Sequence, residues 1–365
     1  MDVDNFTNLS ASADVGNETS ALCQRLPLDI KTIVFVITYT IIFLVGLFGN
    51  LLVIAVILKY DNLKTVTNHY ILNLSIADSL FLAALPMLIT VALAKAWIFG
   101  SLLCKVYYAL DCINKFTSAF TITVMASDRY VAACHPIQSL QYRKPKHARL
   151  VLLITWLLSL VVMSPAIIFA QLDQCQRCVI IWSSDGAHHK VYSRLFFAYT
   201  LVLAFLLPVI IISVSYSKII MKLRKGGHAD SAHRRHCQFR KATRLVTLVI
   251  CVFIVCWLPY WIVQVLLLIA PTTITQNLFI YQAATFLSYT NSMLNPLLYA
   301  FTNDGFREAF SSAVKCSPVV SNHDDRDVNC FDKTGRICRQ IETAGGVHSH
   351  ATTASEVIHL NSLKS

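Results

Sequence analysis

The segment that most constrains the fold lies at residues 32–58, TIVFVITYTIIFLVGLFGNLLVIAVIL, and contains no charged side chain. As an α-helix it would be about 40 Å long, which exceeds the roughly 30 Å hydrocarbon core of a bilayer. It is also longer than the apolar region of a secretory signal peptide, which covers about 7–15 residues. We therefore predict that this segment spans a membrane.

Six more apolar segments follow it, in a chain that is 55% hydrophobic and only 14% charged. Together they predict an all-α membrane protein with a seven-transmembrane helix bundle over residues 32–301. The paired broken helices of many transporters are not visible in the sequence. The predicted spans are residues 32–58, 67–93, 101–134, 146–170, 191–223, 241–270 and 277–301.

Lysine and arginine residues indicate the orientation of the bundle. They are concentrated in the connections after the first, third and fifth spans, and the last of these holds eight between residues 218 and 241. By the positive-inside rule, the N-terminus is extracellular and the C-terminus cytoplasmic, as in a multi-pass protein of the plasma membrane. This basic collar would face anionic membrane lipid, and it explains most of the net charge of +11 without a nucleic-acid partner.

The predicted extracellular N-terminus, residues 1–31, contains three sequons for N-glycosylation within its first twenty residues. Their clustering in a segment that is predicted to be extracellular favours a glycosylated N-terminus. The acceptor residues would be Asn5, Asn8 and Asn17.

Four cysteines lie on the predicted outer side, where disulfides persist: Cys23, Cys104, Cys175 and Cys178. Cys104 begins the third span and Cys178 lies in the loop after the fourth, so a bridge between them would pin this loop across the mouth of the bundle. Cys175 competes with Cys178 for this role. The alternative for CQRC, half of a metal site completed by His188 and His189, lacks further residues at ligand spacing.

Asp78 lies near the middle of the second span, where an unpaired carboxylate costs about 3 kcal/mol. Oxygen-bearing side chains on the third and seventh spans are available as partners: Asn114, Ser118, Asn291, Ser292 and Asn295. Such a cluster suits a small hard cation such as sodium. A purely structural hydrogen-bond network between the helices is the alternative.

The third span carries charge near both of its ends. Asp111 and Arg129 are 18 residues apart, or five helical turns, so they share one helix face at a separation of about 27 Å. Arg129 belongs to the sequence DRY at residues 128–130. One helix therefore connects a site at the outer mouth with a site at the inner rim. The alternative for Asp128 and Arg129 is a pair that snorkels to the membrane interface.

Lys115 follows Asp111 by four residues, a spacing at which the two side chains can pair on one helix face. A dry pair of this kind loses the hydration of both ions. We therefore predict a water-filled cavity that reaches the pair from outside and binds a ligand. The alternative is a structural pair that faces neighbouring helices.

Seven landmarks on successive predicted helices resemble those of class A, rhodopsin-like G-protein-coupled receptors. The segment NKFTSAFTITVMASDRYVAACHP is similar to the somatostatin and opioid receptor branch. The pairing of CWLPYWIVQV with CVIIW resembles allatostatin-C receptors more closely still. The landmarks occur in the expected order across roughly residues 30–316: GN at 49–50, LNLSIAD at 72–78, DRYVAACHP at 128–136, Trp156, Pro208 with Tyr216, CWLP at 256–259 and NPLLY at 295–299.

The resemblance implies a neuropeptide receptor that binds a disulfide-cyclised peptide of the allatostatin-C or somatostatin type and signals through Gi/o proteins. An opioid-like or other peptide receptor of the same class is the alternative within the family. The resemblance also favours Cys178 over Cys175 as the partner of Cys104.

A ligand pocket is implied as well. Asp111 would occupy the position that meets a cationic ligand group in the somatostatin and opioid relatives, with Tyr260, Gln264 and Tyr289 lining the same pocket. Lys115 departs from the pattern, because an apolar residue is expected there. If Lys115 pairs with Asp111, the ligand would present a neutral or anionic group instead, with Lys115 as a contact.

Activation, by the same resemblance, would swing the inner end of the sixth span outward about a kink at Pro259. Trp257 would shift during this change, with Phe253 packed beneath it. The other activation residues would be Asp128, Arg129, Tyr216, Asn295, Pro296 and Tyr299.

Beyond the seventh span, NDGFREAF predicts a short amphipathic eighth helix, within residues 302–315, that lies along the membrane surface. Cys316 is a candidate for palmitoylation, with an unmodified thiol as the alternative. The tail, residues 316–365, is polar and is predicted to be disordered and cytoplasmic. TTASE at residues 352–356 would be phosphorylated and recruit arrestin, or would be an unmodified linker.

Other classes of protein explain fewer of these residues. A light-sensing opsin needs a lysine in the seventh span, and the sequence has none there. A transporter or channel would leave DRY and NPLLY unexplained. No nucleophile elbow, phosphate loop or metal motif supports an enzyme, and no cofactor is expected beyond an allosteric sodium ion.

Overall fold

The structure is a computed structural model that describes residues 30–60, 65–225, 233–269, 278–302, 306–307, 330–331 and 337–338. The chain divides into two compact units, Met1–Val319 and Val320–Ser365. In the first unit, each predicted span coincides with one helix or with consecutive helices. The expected all-α membrane bundle is therefore confirmed.

Ten α-helices are present in the described part of the first unit, and α7 continues into α8 through a π-helical turn at Val202–Leu206. A short antiparallel hairpin connects α6 with α7. The elements are α1 Ile30–Lys59, α2 Val66–Leu82, α3 Leu85–Ala94, α4 Gly100–Cys134, α5 Pro136–Tyr142, α6 Pro145–Phe169, β1 Ala170–Leu172, β2 Cys178–Ile180, α7 Gly186–Leu201, α8 Leu207–Lys225, α9 His233–Ile269 and α10 Leu278–Thr302.

Prolines explain two interruptions of the predicted spans. The second span is divided into α2 and α3 at Pro86, which lies in the first turn of α3. Pro86 has no N–H to donate, and in a continuous helix its ring would clash with the carbonyl of Leu82. The fifth span contains the π-helical turn directly before Pro208, where the same two effects disturb the α-helical hydrogen bonds. In α9 and α10, by contrast, Pro259 and Pro296 lie inside continuous helices.

The outer surface of the bundle is apolar, and its interior is a hydrophobic core that also contains a set of buried polar side chains. Five helical segments of the described chain are long and apolar enough to cross a membrane: Ile30–Lys59, Val66–Ala94, Pro145–Phe169, Gly186–Lys222 and Thr243–Ile269. The other two long helices, α4 and α10, have 35 and 25 residues but carry more polar side chains. These are buried within the bundle, and they include Asn114, Thr117, Ser118, Thr121, Ser288, Asn291, Ser292 and Asn295.

Helix α4 is the central element of this arrangement. It packs against α2, α6, α8 and α9, and its first turns also contact both strands of the hairpin. Side chains on different faces of α4 can therefore reach four other helices. A functional residue on α4 is placed to interact with most of the bundle.

A buried polar network joins three of the helices. The side-chain amide of Asn73 on α2 donates to Oγ1 of Thr121 on α4 at 2.8 Å, and its oxygen accepts from the indole N–H of Trp156 on α6 at 2.7 Å. Both functional groups of Asn73 are thus paired across helix boundaries. Without water in the surroundings, such bonds hold the helices in register.

In the second unit the structure describes two short strands, β3 Cys330–Phe331 and β4 Ile337–Cys338, which pair in antiparallel orientation with Cys330 opposite Cys338. No strand was predicted in this segment. The remaining residues of the tail lie outside the described residues, so its predicted disorder stays a prediction.

Replacing the side-chain amide of Asn73 should lower the stability of the bundle. Asn73→Ala removes both interhelical bonds and leaves the indole N–H of Trp156 without its partner. Because each such bond contributes about 0.6 kcal/mol on average in membranes, we expect a loss of about 1–2 kcal/mol. The measurement is the melting temperature of the purified protein in detergent micelles.

Ser79→Ala on the same helix is the matched control, because Ser79 Oγ donates within its own helix, to the carbonyl of Ser75 at 2.7 Å. It should melt close to the wild type. Equal melting temperatures for the two variants would contradict the role given to Asn73.

Candidate functional site

A disulfide fixes the β1–β2 hairpin onto the start of α4. Cys104 is bonded to Cys178, the first residue of β2, and their Cα atoms are 5.5 Å apart. Leu172 of β1 lies opposite Cys178 in the register, and the hydroxyl of Tyr108 donates to the carbonyl of Cys178 at 3.4 Å. The disulfide that the resemblance favoured is confirmed. We call this end of the bundle the hairpin end.

The hairpin loop is internally ordered. Oδ1 of Asp173 accepts hydrogen bonds from the N–H groups of Cys175 and Arg177, at 2.9 and 2.8 Å, and its Oδ2 accepts from Nε of Arg177 at 2.8 Å. The N–H of Trp97, after α3, donates to the carbonyl of Gln176 at 2.8 Å. The loop is therefore fixed on α4 and on the segment that precedes it.

The alternative of a metal site at CQRC is wrong. Cys178 is bonded to Cys104 and Cys175 is disulfide-bonded as well, so neither is a thiolate ligand. His188 instead contacts Asp185, the N-cap of α7, and this contact lowers the pKa of the Asp185 carboxyl below its usual range. In the described part of the chain, no group of three or more histidine, cysteine, aspartate or glutamate residues is arranged to hold a metal ion.

The predicted Asp111–Lys115 pair forms on α4. Nζ of Lys115 lies 2.6 Å from Oδ2 of Asp111, and the two side chains are 15% and 14% exposed. The same Nζ is 3.4 Å from the hydroxyl of Tyr260 and 5.1 Å from the centroid of its ring. The pair is thus mostly withdrawn from solvent without being sealed, and it joins α4 to α9.

Aromatic side chains continue from this pair along α9. Tyr260 lies edge-on to Trp257, with the ring centroids 5.7 Å apart, and Trp257 lies 6.2 Å from Phe253. Trp257 is only 1% exposed. Pro259 lies inside the helix between these residues, so a displacement of Tyr260 acts directly on a proline-weakened segment.

The other two predicted pocket residues lie in different surroundings. Gln264 is half-buried and follows Tyr260 by one helical turn on α9. Tyr289 is only 2% exposed, and its ring stacks on Phe81 at a centroid distance of 4.3 Å and lies edge-on to Tyr39 at 5.4 Å. It therefore packs α10 against α1 and α2.

Asp78 is fully buried and is bonded to α10. Its Oδ1 accepts from the hydroxyl of Ser292 and its Oδ2 from the amide of Asn295, both at 2.7 Å. On α4, the hydroxyl of Ser118 donates to Oδ1 of Asn114 at 3.0 Å. The residues of the predicted cluster thus form two separate hydrogen-bonded groups, one between Asp78 and α10 and one within α4. No hydrogen bond between described residues links Asp78 directly to α4.

Several buried polar atoms on these three helices have no hydrogen-bond partner: Ser75 Oγ, Asn114 Nδ2, both polar atoms of the Asn291 side chain and Asn295 Oδ1. Unpaired oxygens close to a carboxylate fit a small hard cation. The unpaired N–H groups fit water molecules that would accompany it. Asp78, Asn291 and Asn295 would supply oxygen ligands, so the residues present suit the predicted sodium ion.

At the other end of α4, Arg129 is held by two oxygen atoms. Its Nη2 lies 2.6 Å from Oδ2 of Asp128 and 2.6 Å from Oγ1 of Thr67 on α2. Oδ1 of Asp128 also accepts from Nε of Arg143, at 2.8 Å. Arg129 is only 3% exposed, so this charge is buried in the bundle and depends on these contacts. We call this the arginine end.

Tyrosines on two further helices, α8 and α10, lie near the same end of the bundle. The hydroxyl of Tyr216 on α8 accepts from Oγ1 of Thr247 on α9 at 3.3 Å. Tyr299, one turn after Pro296 on α10, is buried with an unpaired hydroxyl and packs 6.3 Å from the ring of Phe306. Phe306 belongs to the predicted eighth helix, most of which lies outside the described residues.

Thr67 and Arg143 could not be recognised from the sequence as partners of the DRY segment. Thr67 is an ordinary threonine in the first turn of α2, and Arg143 was counted only among the basic residues of a connection. Their contacts with the DRY segment depend on helix packing, and no local pattern in the sequence indicates these contacts. The predictions for Asn5, Asn8, Asn17, Cys23, Cys316 and residues 352–356 lie outside the described residues.

Removing the disulfide should free the hairpin from α4. In the double variant Cys104→Ser with Cys178→Ser, we expect a stability loss of about 2–4 kcal/mol, because the bridge no longer restricts the unfolded chain. The measurement is the melting temperature with and without a reducing agent, which should lower that of the wild type more than that of the double variant, since the disulfide of Cys175 remains in both.

Cys251→Ser is the control, since Cys251 is an exposed free cysteine. It should keep the melting temperature and the sensitivity to reduction of the wild type. A double variant that melts like Cys251→Ser would contradict a stabilising bridge.

Known proteins match this chain over most of its length. The family described as 7 transmembrane receptor (rhodopsin family) matches residues 49–299. Somatostatin receptor type 2 of Sus scrofa is 40% identical over 322 residues, which cover 86% of this chain and 85% of the relative. Somatostatin receptor type 4 of Rattus norvegicus is 40% identical over 278 residues, with shares of 74% and 70%.

Somatostatin receptor type 1 of Rattus norvegicus is 37% identical over 332 residues, which cover 87% of this chain and 83% of the relative. Members of the matching family are signalling receptors and not enzymes, in agreement with the expectation from the sequence. The chain therefore belongs to the rhodopsin family of seven-transmembrane receptors, in the somatostatin and opioid receptor branch.

Proposed function

We propose that this chain is a plasma-membrane receptor for a disulfide-cyclised neuropeptide of the allatostatin-C or somatostatin type, and that it signals through Gi/o proteins. The names of its relatives support a peptide of the somatostatin type. The half-buried Asp111–Lys115 pair, on the helix that also holds Arg129, is the single observation that carries the proposal. The allatostatin-C assignment rests on the sequence resemblance.

The hairpin end faces the outside of the cell in this proposal. Its disulfide persists in an oxidising compartment, and Asp111 lies about 10 Å along α4 from Cys104. The arginine end carries the basic residues, among them Arg143 and Lys218, whose Nζ is 5.4 Å from the ring centroid of Tyr130. Positive charge at this end supports a cytoplasmic location, beside anionic lipid.

Signalling then requires that the peptide binds one arrangement of the bundle better than another. The peptide contacts the Asp111–Lys115 pair and Tyr260, and the ring of Tyr260 packs edge-on against Trp257. In the active arrangement, the inner end of α9 moves outward and Arg129 leaves Asp128 and Thr67. The opened groove, bordered by basic residues, takes up Gi/o and later arrestin.

The test is to express the full chain in cells and to apply a panel of disulfide-cyclised neuropeptides, including allatostatin-C peptides. We expect a fall in forskolin-stimulated cyclic AMP that pertussis toxin abolishes. The same peptides after reduction and alkylation, and cells without the receptor, are the controls.

A response to another peptide class with silence to allatostatin-C peptides would refute the allatostatin-C assignment. A peptide response that pertussis toxin does not affect would refute Gi/o coupling. Silence to every peptide, with the receptor at the cell surface, would refute the peptide ligand.

A sodium ion at Asp78 is part of the proposal. Sodium chloride should raise the melting temperature of the purified receptor above its value in choline chloride at equal ionic strength. At ten times the dissociation constant the gain is about 1.4 kcal/mol. Asp78→Asn should remove this difference, because it removes the charge of the buried carboxylate.

Ser288→Ala is the matched control, since Ser288 is buried on α10 but donates to the carbonyl of Thr285 in its own helix, at 2.7 Å. It should retain the sodium effect. A wild type that melts equally in both salts would refute the sodium site.

Asp128→Asn should raise signalling in the absence of peptide. The substitution removes the charge that holds both Arg129 and Arg143, at 2.6 and 2.8 Å. If the resting arrangement loses about 1 kcal/mol, the minor active population rises about fivefold. The measurement is basal inhibition of cyclic AMP at matched surface expression.

Asp173→Asn provides the comparison, because Asp173 pairs with Arg177 in the hairpin loop at 2.8 Å, away from the arginine end. Its basal signalling should equal that of the wild type. No difference between Asp128→Asn and Asp173→Asn would contradict the restraint of Arg129 by Asp128.

A further inference from the structure

The Asp111–Lys115 pair has no net charge, although it lies in the proposed ligand site. Nζ and Oδ2 are 2.6 Å apart, and only about 15% of each side chain is exposed. An ammonium group that approached the pair would be attracted by the carboxylate and repelled by Lys115 at nearly the same distance, so the two interactions largely cancel. Displacing Lys115 would leave its own charge mostly buried without a counter-ion, which is strongly unfavourable.

An anionic ligand group meets the opposite difficulty. It would gain attraction from Lys115 but would lie against the carboxylate of Asp111. Separating the pair would again leave one of its members without a partner. Neither a cation nor an anion therefore gains much at this site, which leaves an uncharged polar group as the suitable occupant.

Both members of the pair retain hydrogen-bonding capacity for such a group. Oδ2 of Asp111 is occupied by Lys115, whereas its Oδ1 receives no hydrogen bond from the described residues. The ammonium of Lys115 has three N–H donors. One is directed to Asp111 and a second to the distant hydroxyl of Tyr260, at 3.4 Å. A free acceptor beside a free donor matches a carboxamide, which carries both N–H and C=O.

Tyr260 keeps the ammonium in this arrangement. Nζ of Lys115 lies 5.1 Å from the centroid of the Tyr260 ring, within the range of a cation–π interaction. The ring in turn lies edge-on to Trp257 and Trp261, at centroid distances of 5.7 and 5.5 Å. Lys115 is thus held by Asp111 on its own helix and by Tyr260 on α9, so it does not turn away to expose a lone carboxylate.

We propose that Asp111, Lys115 and Tyr260 form a recognition site for an uncharged carboxamide side chain of the peptide, and that Lys115 determines specificity against a cationic one. The carboxamide donates to Oδ1 of Asp111 and accepts from Nζ of Lys115. This inference rests on the peptide ligand proposed above, and it adds the chemistry of the ligand residue that reaches the pair.

The test uses the full-length receptor in cells and disulfide-cyclised peptides that carry asparagine, norleucine or lysine at each ring position in turn. On the wild type, we expect one ring position at which the asparagine peptide is at least about tenfold more potent than the lysine peptide. Lys115→Met keeps a stem of similar length but removes the charge. At that position the lysine peptide should then gain about tenfold in potency and the asparagine peptide should lose about tenfold.

Lys115→Arg is the matched control, because it retains the positive charge beside Asp111. It should keep the wild-type preference for asparagine over lysine. Surface expression of each variant is measured with an N-terminal epitope tag. A preference that Lys115→Met leaves unchanged, at wild-type expression, would overturn the proposal.

A second measurement does not depend on signalling or on the class of peptide. The purified full-length receptor is melted with phenylbutanamide or with phenylbutylamine, which differ only in the polar end group. The amide should stabilise the wild type more than the amine, and Lys115→Met should reverse the order.

If no cyclic peptide signals, the proposed function fails, and this measurement alone decides the chemistry of the site. The inference would be overturned if the amine stabilised the wild type to the same extent as the amide.

Discussion

A charged side chain inside a membrane bundle must have a partner, and this requirement determines how the helices are assembled. Helix α4 carries two such pairs, Asp111 with Lys115 and Asp128 with Arg129. Each is completed by another element: the first by Tyr260 on α9, and the second by Thr67 on α2 and by Arg143. The apolar residues make the bundle soluble in lipid, but the polar contacts fix which helix faces which.

The same contacts give the bundle two positions at which its arrangement can be changed. At the hairpin end, a ligand would act on Tyr260 and through it on the buried Trp257. At the arginine end, the buried charge of Arg129 is restrained by short hydrogen bonds that an outward movement of α9 would replace. The two positions are connected by α4 itself and by α9, in which Pro259 interrupts the backbone hydrogen bonds.

Much of this architecture could be predicted from the sequence, because hydropathy determines where a chain can cross a bilayer. The spacing of four residues was sufficient to predict the Asp111–Lys115 pair. The contacts of Thr67 and Arg143 with the DRY segment could not be predicted, since they depend on how α2 and the connection after α5 pack against α4. For the same reason, the resemblance to the receptor family placed Tyr289 in the pocket lining without indicating that it stacks on Phe81.

The proposed function requires that water reaches the Asp111–Lys115 pair from outside the cell. The most direct test of this requirement is the labelling of Lys115→Cys, in intact cells, by a thiol reagent that cannot cross the membrane. Asn114→Cys and the wild type provide the background, since Asn114 is fully buried. We expect labelling of Lys115→Cys above this background and protection by a bound peptide. Labelling that occurs only after the cells are permeabilised, or not at all, would contradict access of water to the pair from outside.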